Sequence, residues 1–164
     1  MKTKRTIIAA STVLAVLLGS LWVGSGVASA AVGRSLAVPF ANEYSYLPRT
    51  LVAGDCRQIG LNQDPPFHSS YVRLEPPGAG LYARFTWNFS IYTVDTFWGD
   101  VWHATFLFKN ASGGTLSIVK YDGPKMGDEG TIEQRMARGW RSFPIRMDQS
   151  TYETVAQVDW IGDC

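Results

Sequence analysis

Reaction chemistry has little to draw on in this sequence, which holds two histidines and two cysteines among 164 residues. His103 has no second ligand at i+2 or i+4, so zinc chemistry lacks its usual spacing, and no metal or cofactor is expected. His68 precedes Ser69 and Ser70 in a proline-bearing loop, but no G-x-S-x-G elbow accompanies it, and loop polarity accounts for it. Charge of one sign is also missing. Fifteen Lys and Arg face fourteen Asp and Glu, with no basic stripe and no basic amphipathic segment. That excludes an electrostatic case for nucleic acid or a membrane surface. Internal repeats, low-complexity tracts and long linkers are absent, which excludes solenoids and arrays.

The one long apolar run lies at the start. Met1 to Arg5 carries three positive charges, the run extends from Thr6 to Val23, and Ala28, Ser29 and Ala30 form an A-x-A site before Ala31. This predicts a Sec-type signal peptide over residues 1–30 and a secreted, extracellular product, with no membrane association after cleavage. No cysteine near the site offers lipid attachment. Residues 31–164 are then one domain's worth of chain, enough to bury roughly two-thirds of its unfolded surface. Loss of Lys2, Lys4 and Arg5 takes the basic residues from 15 to 12 and the net charge to −2.

Two cysteines in an exported chain are read as a pair. A Cys56 to Cys164 bridge closes a loop of about a hundred residues, worth roughly 4 to 5 kcal/mol in the chain-entropy account. It reads as a staple between two insecure edges, and it removes thiol nucleophiles from consideration.

The body of the chain alternates. Leu81, Ala83, Phe85, Trp87, Phe89, Ile91 and Thr93 form an apolar face opposite Tyr82, Arg84, Thr86, Asn88, Ser90 and Tyr92. Trp102, Ala104, Phe106 and Phe108 repeat the pattern, with His103 on the other side. Asn110 to Gly114 supplies a glycine-rich hairpin into Thr115–Tyr121, where Leu116 and Ile118 oppose Ser117 and Val119. These three strands predict a meander. Weaker strands are expected over 36–40, 50–53, 57–61 and 70–75, with Asn62–Pro66 and Pro76–Gly80 as turns. Thr131 to Gln134 fits a capping box, so residues 131–139 admit a short helix or an alternating strand. Arg141–Met147 is a strand that Pro144 demotes to an edge or a bulge, and Tyr152, Ala156, Val158 and Trp160 line a final one. The fold class that follows is all-β, a single-domain antiparallel β-sandwich, with jelly-roll and immunoglobulin-like connectivity both open.

The most suggestive surface is the tip Asp95-Thr96-Phe97-Trp98-Gly99-Asp100. Phe97 and Trp98 there offer a platform for a sugar ring or an apolar partner, with Asp95 and Asp100 setting orientation, or else they fold back to close the core. Asp122, Asp128 and Glu129 form a second acidic loop that lacks EF-hand spacing. Asn88-Phe89-Ser90 and Asn110-Ala111-Ser112 match the glycosylation pattern, and only the second is well placed. The leading expectation is a secreted binding protein whose ligand is carbohydrate, a cell-surface component or another extracellular protein. Two alternatives stand beside it. One is a small extracellular hydrolase using Asp95, Asp100 or Asp128 with His103. The other is a secreted enzyme inhibitor presenting the loop Asn62–His68.

Overall fold

Strict alternation along the longest strands leaves one apolar face on each, and two such faces close on one another as a sandwich. The computed structural model describes residues 35–61, 69–94, 99–127 and 136–164. Residues 1–34, the loop 62–68, the tip residues 95–98 and the stretch 128–135 lie outside the described residues.

The described residues form ten strands and one helical turn in order: β1 Ser35–Pro39, β2 Tyr44–Tyr46, β3 Leu51–Ala53, β4 Cys56–Gln58, β5 Tyr71–Glu75, β6 Tyr82–Thr93, β7 Asp100–Asn110, β8 Thr115–Met126, β9 Met136–Arg146, α1 Gln149–Tyr152 and β10 Val155–Asp163. One sheet runs β1-β10-β7-β8, and the other holds β2, β5, β6, β4, β3 and β9, all paired antiparallel. Strand β6 organises the larger sheet. Its Arg84–Asn88 stretch pairs with β5 and its Ile91–Thr93 stretch with β4, while β9 runs along its other edge from Tyr82 to Tyr92.

The inward set of β6 is the alternating one expected, with Ala83, Phe85, Trp87, Phe89, Ile91 and Thr93 buried, although Leu81 before it is exposed. Trp102, Ala104, Phe106 and Phe108 supply the facing layer. Phe85 and Phe106 meet across the sandwich with ring centroids 5.4 Å apart, and Trp87 and Phe106 at 5.6 Å. That packing overturns the expected meander. The aromatic faces of β6 and β7 lie against each other from opposite sheets, so the chain changes sheet between them, and of the three strands only β7 and β8 are paired.

The inward side of β8 is set by its pairing with β7. Register pairs Phe106 with Val119 and Ala104 with Tyr121, so Val119 enters the core while Ile118 stays 58% exposed. Prolines keep to strands with one partner: Pro39 in β1, Pro124 in β8 and Pro144 in β9, where a missing N–H costs least. Of the stretch 131–139 that admits a helix or a strand, residues 136–139 lie in β9, and 131–135 lie outside the described residues. Gly139 lies there as a strand residue against Phe89, where an added Cβ would come within 3.0 Å of the ring. A helical turn sits later, at Gln149–Tyr152, capped by Asp148, whose Oδ1 accepts from Thr151 N at 2.8 Å.

Cys56 and Cys164 form the disulfide, with Cα atoms 5.9 Å apart and a sequence separation of 108. It does not join two edges. Strand β10 lies between β1 and β7, so the bridge ties one sheet to the other at one end of the sandwich.

Candidate functional site

Outward positions of the six-stranded sheet carry the chemistry that its inward positions exclude. Tyr46 pairs with Tyr71, Tyr71 with Asn88, and Asn88 with Trp140, so these four side chains form one rung across β2, β5, β6 and β9. Three inter-strand spacings make that rung roughly 14–15 Å long. Trp140 is 64% exposed and Tyr46 43%. The next rung is Tyr44, Arg73, Thr86 and Ser142, in which Thr86 Oγ1 donates to Ser142 Oγ at 2.9 Å. An aromatic row with small polar groups between its members results.

Three tyrosines pack at one end of the face. Tyr44 and Tyr46 stack at 5.4 Å with their rings 13° from parallel, and Tyr71 lies 5.7 Å from Tyr44 and 5.6 Å from Tyr46. Burial, followed by the neighbouring Tyr44 and Tyr71, pushes the Tyr46 phenol above its ordinary pKa, so it stays neutral at physiological pH. The guanidinium of Arg73 lies 5.5 Å over the Tyr44 ring.

The turn that delivers β2 is unusual. Ala41 and Tyr44 exchange backbone hydrogen bonds of 2.9 Å, and the two residues between them, Asn42 and Glu43, have φ of 50° and 70°. Both central positions of such a turn need the left-handed region, which asparagine tolerates and glutamate resists, at a cost of about 1–3 kcal/mol. What Glu43 contributes is its carboxylate. Glu43 Oε2 accepts from Arg73 Nη2 at 2.9 Å and from Nε at 3.2 Å, Arg73 Nη1 reaches Glu75 Oε1 at 2.6 Å, and the Glu43 carbonyl accepts from Leu74 N. A strained backbone is thus held where it fixes Arg73 against the tyrosine cluster.

The tip residues Asp95, Phe97 and Trp98 lie outside the described residues. Asp100 is described, and its Oδ2 accepts from Thr93 Oγ1 at 3.0 Å. Its carboxylate also lies within 4.8 Å of the Cys56 and Cys164 sulfurs, the single tight grouping of ligand-type side chains among the described residues. Those sulfurs are bonded to each other, which leaves one carboxylate and no metal centre. His103 does not converge with Asp100. It lies on the outward face of the four-stranded sheet, with Nδ1 2.6 Å from Asp122 Oδ1 and Asp163 opposite in register. Thr105 and Lys120 complete a shallow hollow there. Asp163 Oδ1 accepts from Cys164 N, so one of the three polar groups already serves the chain end.

Family models, curated proteins and solved structures give no match to this chain. The site therefore has to be read from its own geometry. Sequence reasoning missed it for two reasons. Strand β2 is three residues long, and the Tyr46–Tyr71–Asn88–Trp140 rung joins positions up to 94 residues apart that only pairing brings together. The usable signal was local: Tyr44-Ser45-Tyr46 and Arg138-Gly139-Trp140 both alternate polar or aromatic with small residues. Asn88, one of the two glycosylation matches, is the polar member of the rung. Asn110 instead closes the β7–β8 hairpin, its Oδ1 accepting from Gly114 N and Ser112 Oγ, both at 2.8 Å.

Proposed function

We propose that this chain is a secreted β-sandwich protein that binds carbohydrate through the outward face of its six-stranded sheet. The carrying observation is the Tyr46–Tyr71–Asn88–Trp140 rung. Sugar rings present C–H faces to aromatic surfaces and hydroxyls to polar neighbours, and the rung offers aromatic groups at both ends with an amide between them. A row on an open sheet suits an extended chain lying across the strands better than a small molecule that needs a concave pocket. The signal-like N-terminus and the Cys56–Cys164 bridge support an extracellular setting. Among the described residues no helix is long and apolar enough to cross a membrane.

Depletion of the protein from solution by suspensions of insoluble polysaccharides tests the reading, run with Trp140→Ala and Tyr46→Ala. Retention should fall about tenfold for Trp140→Ala, a loss of about 1.4 kcal/mol. Its stability should stay within about 0.5 kcal/mol of the parent, as for exposed positions generally. Retention that both variants keep in full would reject the platform.

A further inference from the structure

Charge is spread unevenly over the two outward faces. On the six-stranded sheet the outward strand positions hold Arg57, Arg73, Arg84, Arg138 and Arg146 against one carboxylate, Glu75, with Glu43 reaching in from its turn. On the four-stranded sheet Asp122, Asp159 and Asp163 are balanced by Lys109, Lys120 and Lys125. A chain that nets −2 after signal removal therefore gathers five of its twelve basic residues on the aromatic face.

Position sharpens this asymmetry. Arg73 is neutralised by Glu43 and Glu75. Arg84, Arg138 and Arg146 occupy strand positions next to those of the exposed Tyr82 and Trp140. Arg138 is two residues from Trp140 on the same face of β9, a step of about 7 Å. Tyr82, 60% exposed, pairs with Arg146 and is two residues from Arg84, whose contact with Glu75 is a long 3.8 Å. Each couplet joins a ring-stacking surface to a rigid fork that matches a carboxylate.

We infer that the ligand of this face is an acidic polysaccharide, a chain of pyranose rings that bear carboxylates, with Trp140 and Tyr82 taking ring faces and Arg138, Arg84 and Arg146 taking the acid groups. The inference rests on the carbohydrate reading above and adds the charge of the ligand. A nucleic-acid chain would present phosphates to the same guanidiniums, so it is kept as an outcome of the test.

Titration of the intact, disulfide-bonded protein with oligogalacturonate and with its methyl ester tests the inference, since the two share their rings and differ in charge. Hyaluronan and alginate oligosaccharides serve as further acidic chains and oligo(dT) as a nucleic-acid probe. At least one acidic chain should bind, and where it is oligogalacturonate the affinity should exceed that of the ester at least tenfold at low salt. Binding of any acidic chain should weaken as added salt screens the arginines. Arg84→Gln combined with Arg138→Gln and Arg146→Gln should abolish the preference for acid over ester and the salt dependence, while Trp140→Ala should weaken acid and ester alike. Equal, salt-independent binding of acid and ester would overturn the charge inference and leave the carbohydrate reading standing. Binding of oligo(dT) with no oligosaccharide bound, or of no probe at all, would overturn both.

Discussion

Trp160 Nε1 donates a hydrogen bond of 3.1 Å to Ser45 Oγ inside the sandwich, joining β10 of one sheet to β2 of the other across 115 residues of sequence. Both side chains are buried. Ser45 lies between Tyr44 and Tyr46, so its inward hydroxyl anchors the strand whose outward side chains begin the aromatic face. Among the described residues the indole nitrogens of Trp87 and Trp102, buried in the same core, have no such partner.

Replacing Ser45 by alanine strands the Trp160 indole N–H in an apolar interior, at a cost of about 1–3 kcal/mol. Urea unfolding of Ser45→Ala should show that loss, and polysaccharide retention should fall with it because β2 loses its inward tether. An unchanged unfolding midpoint would mean that the bond contributes nothing net.

Strand β10 comes close enough to its neighbour that one methyl matters. A Cβ on Gly162 would stand 2.1 Å from Trp102 Cζ2, within the fully buried indole. Gly162→Ala should destabilise by about 1–3 kcal/mol or more, the range for overpacked cores. Near-UV circular dichroism should change with it as Trp102 moves. A neutral effect on both measurements would show that the ring has room to shift.

The bridge between sheets should dominate the stability of the chain. Cys56→Ala combined with Cys164→Ala removes a constraint spanning 108 positions, and the chain-entropy relation assigns it roughly 4–5 kcal/mol. Guanidinium unfolding of the oxidised parent and the double variant measures the difference. A gap below about 1 kcal/mol would mean that the denatured chain is compact without the bridge.

The two limits of the pH–stability curve have separate sources. Hydrogen bonds from the Thr151 backbone and from the Thr151 and Ser150 side chains hold the Asp148 carboxyl below the usual aspartate range. A depressed carboxyl stabilises the fold above its unfolded pKa, and that contribution disappears as pH falls through the folded value. Asp148→Ala should therefore lower the melting temperature at neutral pH, with the difference shrinking in acid. At the other limit the Tyr46 phenol is raised, first by burial, so its contribution is complete below the pKa of a free tyrosine and is lost as pH climbs through the folded value. Alkaline ultraviolet titration of the parent against Tyr46→Phe should show one phenol ionising late. A constant Asp148→Ala difference down to pH 2 would contradict the cap.

What could be read beforehand was the face of a strand and the positions where strands stop. Phe85, Trp87 and Phe89 declare their inward side because the period of a strand is two, and Pro144 declares an edge because it cannot donate to a second neighbour. The cysteine pair was legible for a different reason, since export leaves two thiols few other fates. Three-residue strands were not, as β2 shows: Tyr44-Ser45-Tyr46 alternates, but three residues are too short a run to stand apart from the turns around it.

The sequence by itself determined an all-β chain with two aromatic inner faces, a disulfide pair and an N-terminus patterned for export. Tertiary structure decided that β6 and β7 belong to opposite sheets, that Val119 rather than Ile118 enters the core, and that Tyr46, Tyr71, Asn88 and Trp140 share one rung. Local alternation sets the face on which a side chain lies, whereas which outward side chains become neighbours depends on strand order and register, and those are settled by how the inward faces pack.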